Sequence, residues 1–262
     1  MEPVGRFQGG HMDNDMAGSG TVNERAPDGD RSFEAVRDRL DMSLREAMTT
    51  QRSVRRVLSD DVDDDIVVAC IELALKAPTG SNGQNWEFVV VRDPRVKGEL
   101  AAQYRKAWRV YGGIGERVTA GDEAMARIIR AVDWQVSHFE EVPVVVVACL
   151  SGPGRFVPAS VGQSTHYGSV YPSVQNLLLA ARSVGLGASL VTLPLWNQCS
   201  ARRILGLPLS VQPVCAVALG WPRGGTAPPG AGRWAMWCTW TATDGGTGVT
   251  AGPCSAEPVL VD

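Results

Sequence analysis

The sequence lacks a long hydrophobic run. The longest one, Val142 to Leu150, is far shorter than the roughly twenty apolar residues of a membrane-spanning helix, and it predicts a buried strand. The first thirty residues also lack the apolar segment of a secretory signal peptide. We therefore expect a cytoplasmic protein with no membrane partner.

An excess of either charge is absent as well. Lys and Arg together number 25 against 28 Asp and Glu, and the arginines are scattered along the chain instead of forming a basic stripe. This balance argues against a nucleic-acid partner. With 262 residues, 44% of them hydrophobic, the chain is long enough to bury a sizeable core.

Motifs of metal sites, hydrolases and common nucleotide folds are missing. The six cysteines form no C-x-x-C pair, so we expect reduced and mostly buried thiols. His138 and His166 are the only histidines beyond the first thirty residues, which argues against a histidine-rich metal site. There is no H-E-x-x-H, no G-x-S-x-G and no Gly-Lys pair. The glycine-rich stretch at Gly185 ends a predicted helix, the reverse of the order in a Rossmann turn.

Composition divides the chain into three parts. Residues 1–31 are rich in Gly and Asp without periodicity, and Gly9 to Met12 resembles a cloning remnant, so we expect a disordered N-terminal tail. Residues 32–240 are expected to form the folded domain. Residues 241–262, rich in Gly, Thr, Ala, Ser and Pro, predict a flexible C-terminal tail.

Within the domain, apolar strands alternate with helical patterns. Ser32 is a plausible N-cap for a helix that reaches Arg52, and Asp63 begins a second helix that Pro78 forbids from continuing. Further helices are expected over 94–137, with a break at Gly112, Gly113 and Gly115, over 169–183 and over 200–205; strands are expected over 87–91, 142–149, 188–192 and 213–219. This alternation favours an α/β sandwich built around one sheet.

Two segments on either side of the second helix are suited to a phosphorylated planar cofactor. The phosphate arm, Arg52-Ser53-Val54-Arg55, offers two guanidinium groups and a hydroxyl, and the planar arginine fork matches phosphate geometry. The ring loop, Ala77 to Trp86 (APTGSNGQNW), offers small polar residues that let backbone groups approach a flat ring.

These segments resemble the FMN-dependent nitroreductase superfamily over about residues 40–237. The resemblance is carried by four segments in the order found in that family: QRSVR at 51–55, APTGSNGQNW at 77–86, SVQNLLLAARSVGLGASLVT at 173–192 and LGLPLSVQPVCAVALGWP at 205–222. It implies an α+β sandwich with a central mixed sheet flanked by helices. It also implies an intertwined homodimer with two FMN sites at the subunit interface, each built from both chains.

The same resemblance implies roles for individual residues. The residues expected to bind the phosphate are Arg52, Ser53, Arg55 and Arg233. The residues expected to contact the isoalloxazine ring and the ribityl chain are Pro78, Thr79, Gly80 and Asn82. Leu190, Val191 and Thr192 match the segment near the flavin N5 and O4 edge, where a backbone N–H stabilises negative charge. Two positions depart from the pattern: Gln51, where members often have Arg, and Asn85, where they commonly have Pro.

The implied reaction has two stages. NADPH or NADH reduces FMN and leaves, and electrons then pass to a nitroaromatic or quinone acceptor. No general acid or base is required, so no catalytic side chain is assigned. Tyr104, Trp108 and Tyr111 share one helix face in the region 100–120, where we expect a substrate lid; core packing is the competing interpretation, and Trp196 is a second candidate.

Two alternatives stay open. The same fold includes reductive dehalogenases and flavin-fragmenting enzymes, and no substrate motif in this chain excludes either activity. A protein that binds or sequesters FMN without turnover is the other alternative, favoured by Gln51, Asn85 and the unusual Trp234 to Cys238 segment.

Overall fold

The structure, a computed structural model, describes residues 31–118, 122–151 and 161–224, all of them within one compact unit. The predicted tails at 1–31 (apart from Arg31) and 241–262, together with Arg233 and the segment from Trp234 to Cys238, lie outside the described residues. The α-helices are α1 (Phe33–Val36), α2 (Leu44–Thr50), α3 (Asp64–Ala74), α4 (Pro94–Val118), α5 (Glu123–Ser137), α6 (Val161–Ser183) and α7 (Gln198–Leu205). The strands are β1 (Trp86–Val91), β2 (Val144–Ser151), β3 (Gly187–Val191) and β4 (Val211–Gly220).

The sheet positions everything else. Its strand order is β1-β2-β4-β3, and all three pairings between these strands are antiparallel. The expected α+β fold with a central sheet flanked by helices is confirmed, and its four described strands pair only in the antiparallel sense. The edge of the sheet formed by β3 contacts the phosphate arm. The contact is an isolated parallel bridge between Ser53 and Ala188.

Helices cover both faces of the sheet, which explains the continuous apolar run of β2. Alternate residues of that strand point to opposite faces. Val144 and Val146 join the core formed with α3 and α6, whereas Val145 and Val147 join the core formed with α4 and α5. All four valines are fully buried, so neither face of β2 requires a polar side chain.

The single N-terminal helix that the spacing predicts is divided in two. A 3-10 turn over Arg37–Asp41 separates α1 from α2. Ser43 begins α2 because its hydroxyl accepts a hydrogen bond from the backbone N–H of Glu46 at 3.2 Å. Ser-x-x-Glu is a capping-box sequence, and this local signal starts a new helix although the apolar periodicity continues across it.

The expected break at Gly112, Gly113 and Gly115 is also wrong, because α4 continues through these glycines to Val118. A Cβ at Gly112 would lie 3.0 Å from the Trp108 indole, so glycine here makes room for a ring instead of bending the helix. The next helix, α5, begins at Asp122, whose carboxylate accepts from the N–H of Met125 at 3.1 Å.

The remaining elements agree with prediction to within a few residues, except that α6 begins about two turns earlier than expected. Its buried residues pack on the sheet and on α3, and an outward stripe includes Gly168, Tyr171 and Gln175. None of the helices in the described ranges combines the length and the apolar character needed to cross a bilayer.

Candidate functional site

The phosphate arm lies along the edge of the sheet, next to β3. The backbone N–H of Val54 donates to the carbonyl of Ala188 at 2.9 Å, and Ser53 forms the parallel bridge with the same residue. Three residues later, Val57 forms a bridge with Pro222, just beyond β4. The arm is thus attached to the sheet at two points, and the Ser53 side chain is exposed.

A cavity of about 150 Å³ adjoins the arm. Since a single water needs roughly 10–15 Å³, it has room for an anion of several atoms. Five arginines and one acidic residue belong to its wall, and we call it the arginine cavity: Arg31, Arg39, Arg52, Arg182, Arg223 and Asp60, with Thr50, Gln51, Gly185 and Trp221 among the other wall residues.

The far end of β3 holds the segment expected near the flavin edge. Val191 is buried, whereas Thr192 follows the strand and is exposed. Ala188 and Thr192 are four residues apart, or about 13 Å at 3.3 Å per residue. One edge of the sheet therefore places the arm near one end of β3 and Leu190 to Thr192 at the other.

The ring loop has a special backbone. Three of its residues, Ser81, Asn82 and Gln84, have positive φ angles of 53°, 53° and 47°. They are the only non-glycine residues with positive φ in the described part of the chain. Such angles are uncommon outside glycine and tend to occur at ligand-binding sites.

Hydrogen bonds maintain this conformation and attach the loop to α6. The backbone N–H of Gln84 donates to the Thr79 hydroxyl at 3.2 Å, and the N–H of Gly80 donates to the Ser169 hydroxyl at 3.1 Å. A Cβ at Gly80 would lie only 2.8 Å from Thr165 Cγ2, so only glycine fits without displacing a neighbour. Pro78, Gly80 and Asn82 are exposed.

Asn85, the atypical loop exit, has a structural role. Its side-chain amide donates to the carbonyl of Ser151 at 3.3 Å, and its own carbonyl accepts from the N–H of Ser151 at 2.7 Å. These two bonds extend the pairing of β1 with β2 by one step, and proline at this position would lose the side-chain bond.

Within one chain, the arm and the ring loop lie beside different parts of α6. Arg182 Nε donates to the Thr50 hydroxyl, next to the arm, whereas Ser169 anchors the loop. Thirteen residues of helix separate Ser169 from Arg182, which is about 20 Å. That distance exceeds the reach of the five-carbon ribityl chain that joins the phosphate of FMN to its ring.

The aromatic residues expected in the lid are in three different environments. Tyr104 is 2% exposed and packs edge-to-face on Phe139, so it belongs to the core, in agreement with the competing interpretation. Burial raises its pKa to about 12, against a smaller opposing effect of Arg55. Trp108 is half-buried and joins α4 to α5 through a 3.1 Å hydrogen bond from its indole N–H to Asp133.

Tyr111 and Trp196, in contrast, form an exposed pair. Their rings meet edge-to-face with centroids 5.6 Å apart, and each residue is about half exposed. Trp196 follows Thr192 by four residues, directly after the 3-10 turn Leu193–Leu195. Of the four aromatic candidates, this pair is the one placed to contact a molecule at the end of β3.

These residues fit the phosphate and ring of FMN in kind. The arm and the adjacent cavity offer guanidinium groups for a phosphate, and the ring loop exposes backbone and small polar groups that a flat heterocycle requires. Gln51 has no charge, but it lies in the wall of the arginine cavity, whose five arginines supply positive charge.

Sequence reasoning missed most of those arginines. Arg39 and Arg182 are 143 positions apart and were described as scattered, yet both line one cavity. The available signal for Arg182 was its place in the segment 173–192, directly before the turn at Gly185. Ser169 and Thr165, which support the ring loop, gave no signal in the sequence.

Comparisons with known proteins give the family. A family model described as Nitroreductase family matches residues 48–221. The chain is 30% identical over 192 residues to an NADH dehydrogenase of Thermus thermophilus, covering 69% of this chain and 87% of that protein. It is 25% identical over 189 residues to iodotyrosine deiodinase 1 of Rattus norvegicus, covering 70% of this chain and 64% of that protein.

The fold agrees with a solved structure. A crystal structure of a BluB-like flavoprotein from Clostridium difficile 630 superposes with a TM-score of 0.56 at 20% identity, covering 73% of this chain and 95% of that one. The family match extends from before the phosphate arm to the residue that follows β4, and therefore includes the arm, the ring loop and the end of β3. The chain belongs to the Nitroreductase family.

Proposed function

We propose that this protein is an FMN-dependent NAD(P)H oxidoreductase that reduces nitroaromatic or quinone-type acceptors. The observation that carries the proposal is the bridge between Ser53 and Ala188. This bridge sets a phosphate-binding arm and the exposed end of β3 along one edge of the sheet, at a spacing suited to a ligand with a phosphate at one end and a ring at the other.

The arm acts as the phosphate clamp. Arg52, Ser53 and Arg55 donate hydrogen bonds to the phosphate, and Arg233, which lies outside the described residues, is expected to join them. Each charge-assisted bond contributes about 1.5–3 kcal/mol, so a few of them hold the cofactor without a covalent link.

The end of β3 and the ring loop orient the ring. FMN, when bound, supplies the redox chemistry by taking a hydride from NAD(P)H and passing electrons to the acceptor. The backbone N–H groups of the segment from Leu190 to Thr192 stabilise negative charge at the ring edge, and Pro78, Thr79, Gly80 and Asn82 lie along the ring. No side chain of this chain is assigned a catalytic role.

A second copy of the chain is part of the proposal. It is supported by α6, along which the anchor of the ring loop (Ser169) and the anchor beside the arm (Arg182) are about 20 Å apart, farther than one FMN is expected to span within a single chain. The outer layer of the fold also exposes large apolar residues, and these suit a homodimer interface: Leu44, Met48, Val68, Leu73 and Tyr171.

Mixed dimers test this arrangement. One chain would carry Arg52→Gln with Arg55→Gln, the other Thr79→Ala with Asn82→Ala, with different affinity tags for isolating the mixed species. If each site combines the arm of one chain with the loop of the other, the mixed dimer has one intact site and binds one FMN tightly. If each site belongs to a single chain, the mixed dimer binds FMN no better than either parent.

Steady-state kinetics test the activity. With the flavin-loaded protein, NADPH or NADH as donor and a quinone or nitroaromatic as acceptor, a two-stage reaction gives parallel double-reciprocal lines. Converging lines would contradict the two-stage scheme, and an absence of turnover with either donor would favour a protein that only binds FMN.

The deiodinase relative favours a second candidate. A protein 25% identical over 189 residues is named iodotyrosine deiodinase 1, so reductive removal of halogen from a phenol is the specific alternative. Release of iodide from an iodinated phenol by the reduced protein, measured beside reduction of a nitroaromatic, distinguishes the two activities. We expect the nitroaromatic or quinone to be reduced faster.

A further inference from the structure

The arginine cavity contains more positive charge than the phosphate arm accounts for. Among its described wall residues Asp60 is the one acid, and it is already engaged by Arg31 at 2.5 Å. Arg31 also lies over the Trp221 ring, 5.1 Å from its centroid. Arg39, Arg182 and Arg223 complete the wall together with Arg52 of the arm.

Arg182 shows that these charges act on one another. Burial lowers the pKa of this guanidinium first, Glu46 opposes that effect, and neighbouring Arg52 lowers the pKa further. Arg182 and Arg52 both line the cavity, so an anion bound there accepts hydrogen bonds from both guanidinium groups and offsets their like charge.

The backbone also makes room for an arginine at the cavity wall. Gly185 has a φ of +88°, which side chains rarely tolerate, and a Cβ there would lie 3.4 Å from Arg39 Nη1. Arg39 is half-buried and lies beside this backbone position, which favours glycine. Arg182 is held in turn by its 2.9 Å hydrogen bond to Thr50.

We propose that the arginine cavity is a phosphate-binding site in its own right, with Arg39 and Arg182 as ligands beyond the four-residue arm. A phosphate monoester is the class that fits, because its dianion matches the bidentate geometry of several arginine forks. Two sources other than FMN offer this chemistry: the 2′-phosphate of NADPH and free phosphate.

Inorganic phosphate is the first probe. It is titrated calorimetrically into the purified flavin-containing protein at constant ionic strength, with chloride as the exchanged anion. We expect saturable binding that weakens at least tenfold in Arg39→Gln. Arg37→Gln is the matched control, since Arg37 lies on the same 3-10 turn but outside the cavity and pairs with Asp38. Absent binding, or equal weakening in the control, overturns the proposal.

A second variant guards against misfolding. Arg182→Lys keeps the positive charge but replaces the planar fork with a point charge, so it should also weaken phosphate binding severalfold. If Arg39→Gln lowers the melting temperature in the absence of phosphate, the phosphate affinity of Arg182→Lys is used as the test instead. Phosphate affinity unchanged in this variant counts against the site.

Two further measurements identify the source. If phosphate binds only to flavin-free protein, the cavity is no more than the clamp of the proposed FMN site and the proposal is overturned; if Arg39→Gln raises the KM for NADPH but not for NADH, the cavity receives the 2′-phosphate. If neither result is found while phosphate still binds, the ligand is free phosphate. Because calorimetry requires no turnover, failure of the proposed reductase activity leaves this outcome unaffected.

Discussion

Substitutions at Gln51, directly before the phosphate arm, and at Arg55, its last residue, are predicted to change FMN affinity in opposite directions. Arg55→Gln removes a charge-assisted bond to the phosphate of FMN, which contributes about 1.5–3 kcal/mol, and should weaken FMN binding roughly 10- to 100-fold. Gln51→Arg restores the charge that the family often has and should tighten binding about tenfold. Fluorescence titration of FMN into flavin-free protein measures both.

Riboflavin supplies the control, because it lacks the phosphate. Its affinity should be the same in all three proteins. Arg109→Gln, an exposed arginine on α4, should leave FMN affinity unchanged as well. If Arg55→Gln weakens riboflavin and FMN equally, the arginine does not bind the phosphate.

Three buried thiols predict a loss of stability in alkali. Burial raises the pKa of Cys70, Cys149 and Cys215 from 9.0 to about 12. A folded-state pKa above the unfolded value gives stability that is complete below pH 9 and is lost as pH rises toward 12. Each thiol contributes a slope of at most about 1.4 kcal/mol per pH unit, and buried Tyr104 adds to it.

Urea unfolding at several pH values between 8 and 11 measures this slope. Cys215→Ala should fall less steeply than the native chain, whereas Cys199→Ala should fall equally, because Cys199 is exposed. A free energy of unfolding that stays constant up to pH 11 would show that the buried thiols do not control alkaline stability.

At the residue scale, the sequence shows which groups of the arm and the loop are available but not which partners single residues have in the fold. Short motifs show which groups are adjacent in the chain, such as Arg52 and Ser53. They cannot show that Arg39 and Arg182 line one cavity, because that placement depends on how α6 packs beside the N-terminal turn. The role of Asn85 was equally invisible, since its partner Ser151 lies on another strand.

Among the elements, β3 and the arm are packed too closely for any side chain at Gly187. A Cβ there would lie 2.7 Å from Val54 Cγ1 and 3.3 Å from the carbonyl of Gly220. Gly187→Ala should therefore cost about 1–3 kcal/mol of stability and, by displacing the arm, weaken FMN binding. Urea unfolding and FMN titration measure the two effects.

Gly98→Ala is the matched control. Gly98 lies inside α4 with nothing within 4 Å of its Cβ position, so alanine there should stabilise the protein by about 0.5–1 kcal/mol and leave FMN binding alone. If Gly187→Ala behaves like Gly98→Ala, the close contact between β3 and the arm is not what positions the arm.

The exposed pair formed by Tyr111 of α4 and Trp196 is predicted to contact the acceptor. Trp196→Ala and Tyr111→Ala each remove one ring of the exposed pair, whose stacking on an aromatic acceptor contributes about 0.5–1.5 kcal/mol. We expect the KM for a nitroaromatic to rise roughly three- to tenfold while flavin reduction by NAD(P)H keeps its rate. An unchanged KM in both variants would remove the pair from the acceptor site.

Most element types were predictable because apolar periodicity reports burial. The errors occurred where a tertiary contact overrides a local signal. Gly112 looked like a break until the Trp108 ring explained it, and Ser43 divided a helix that apolar spacing alone had joined. The early start of α6 has no comparable local signal, although its Ser169 holds the ring loop.

For the whole molecule, the length of α6 is the observation on which the proposed two-chain cofactor site depends. Its 20 Å between Ser169 and Arg182 separates two segments that the sequence predicts to hold one ligand. A sequence motif does not give this distance. It is known only once the residues of α6 that contact the ring loop (Ser169) and the region beside the arm (Arg182) have been identified. The family resemblance implies a site built by two chains, and the spacing along the helix supports that proposal.

Anaerobic titration tests the central claim, electron transfer from NAD(P)H through bound FMN to an acceptor, most directly. The purified protein is titrated with NADPH, then in a separate sample with NADH, while the oxidised flavin absorbance is followed, and a nitroaromatic is added at the end. We predict that one equivalent of donor per flavin bleaches the absorbance and that the acceptor restores it. Bound flavin that stays oxidised with both donors would contradict the account and indicate a protein that stores FMN or draws on another reductant.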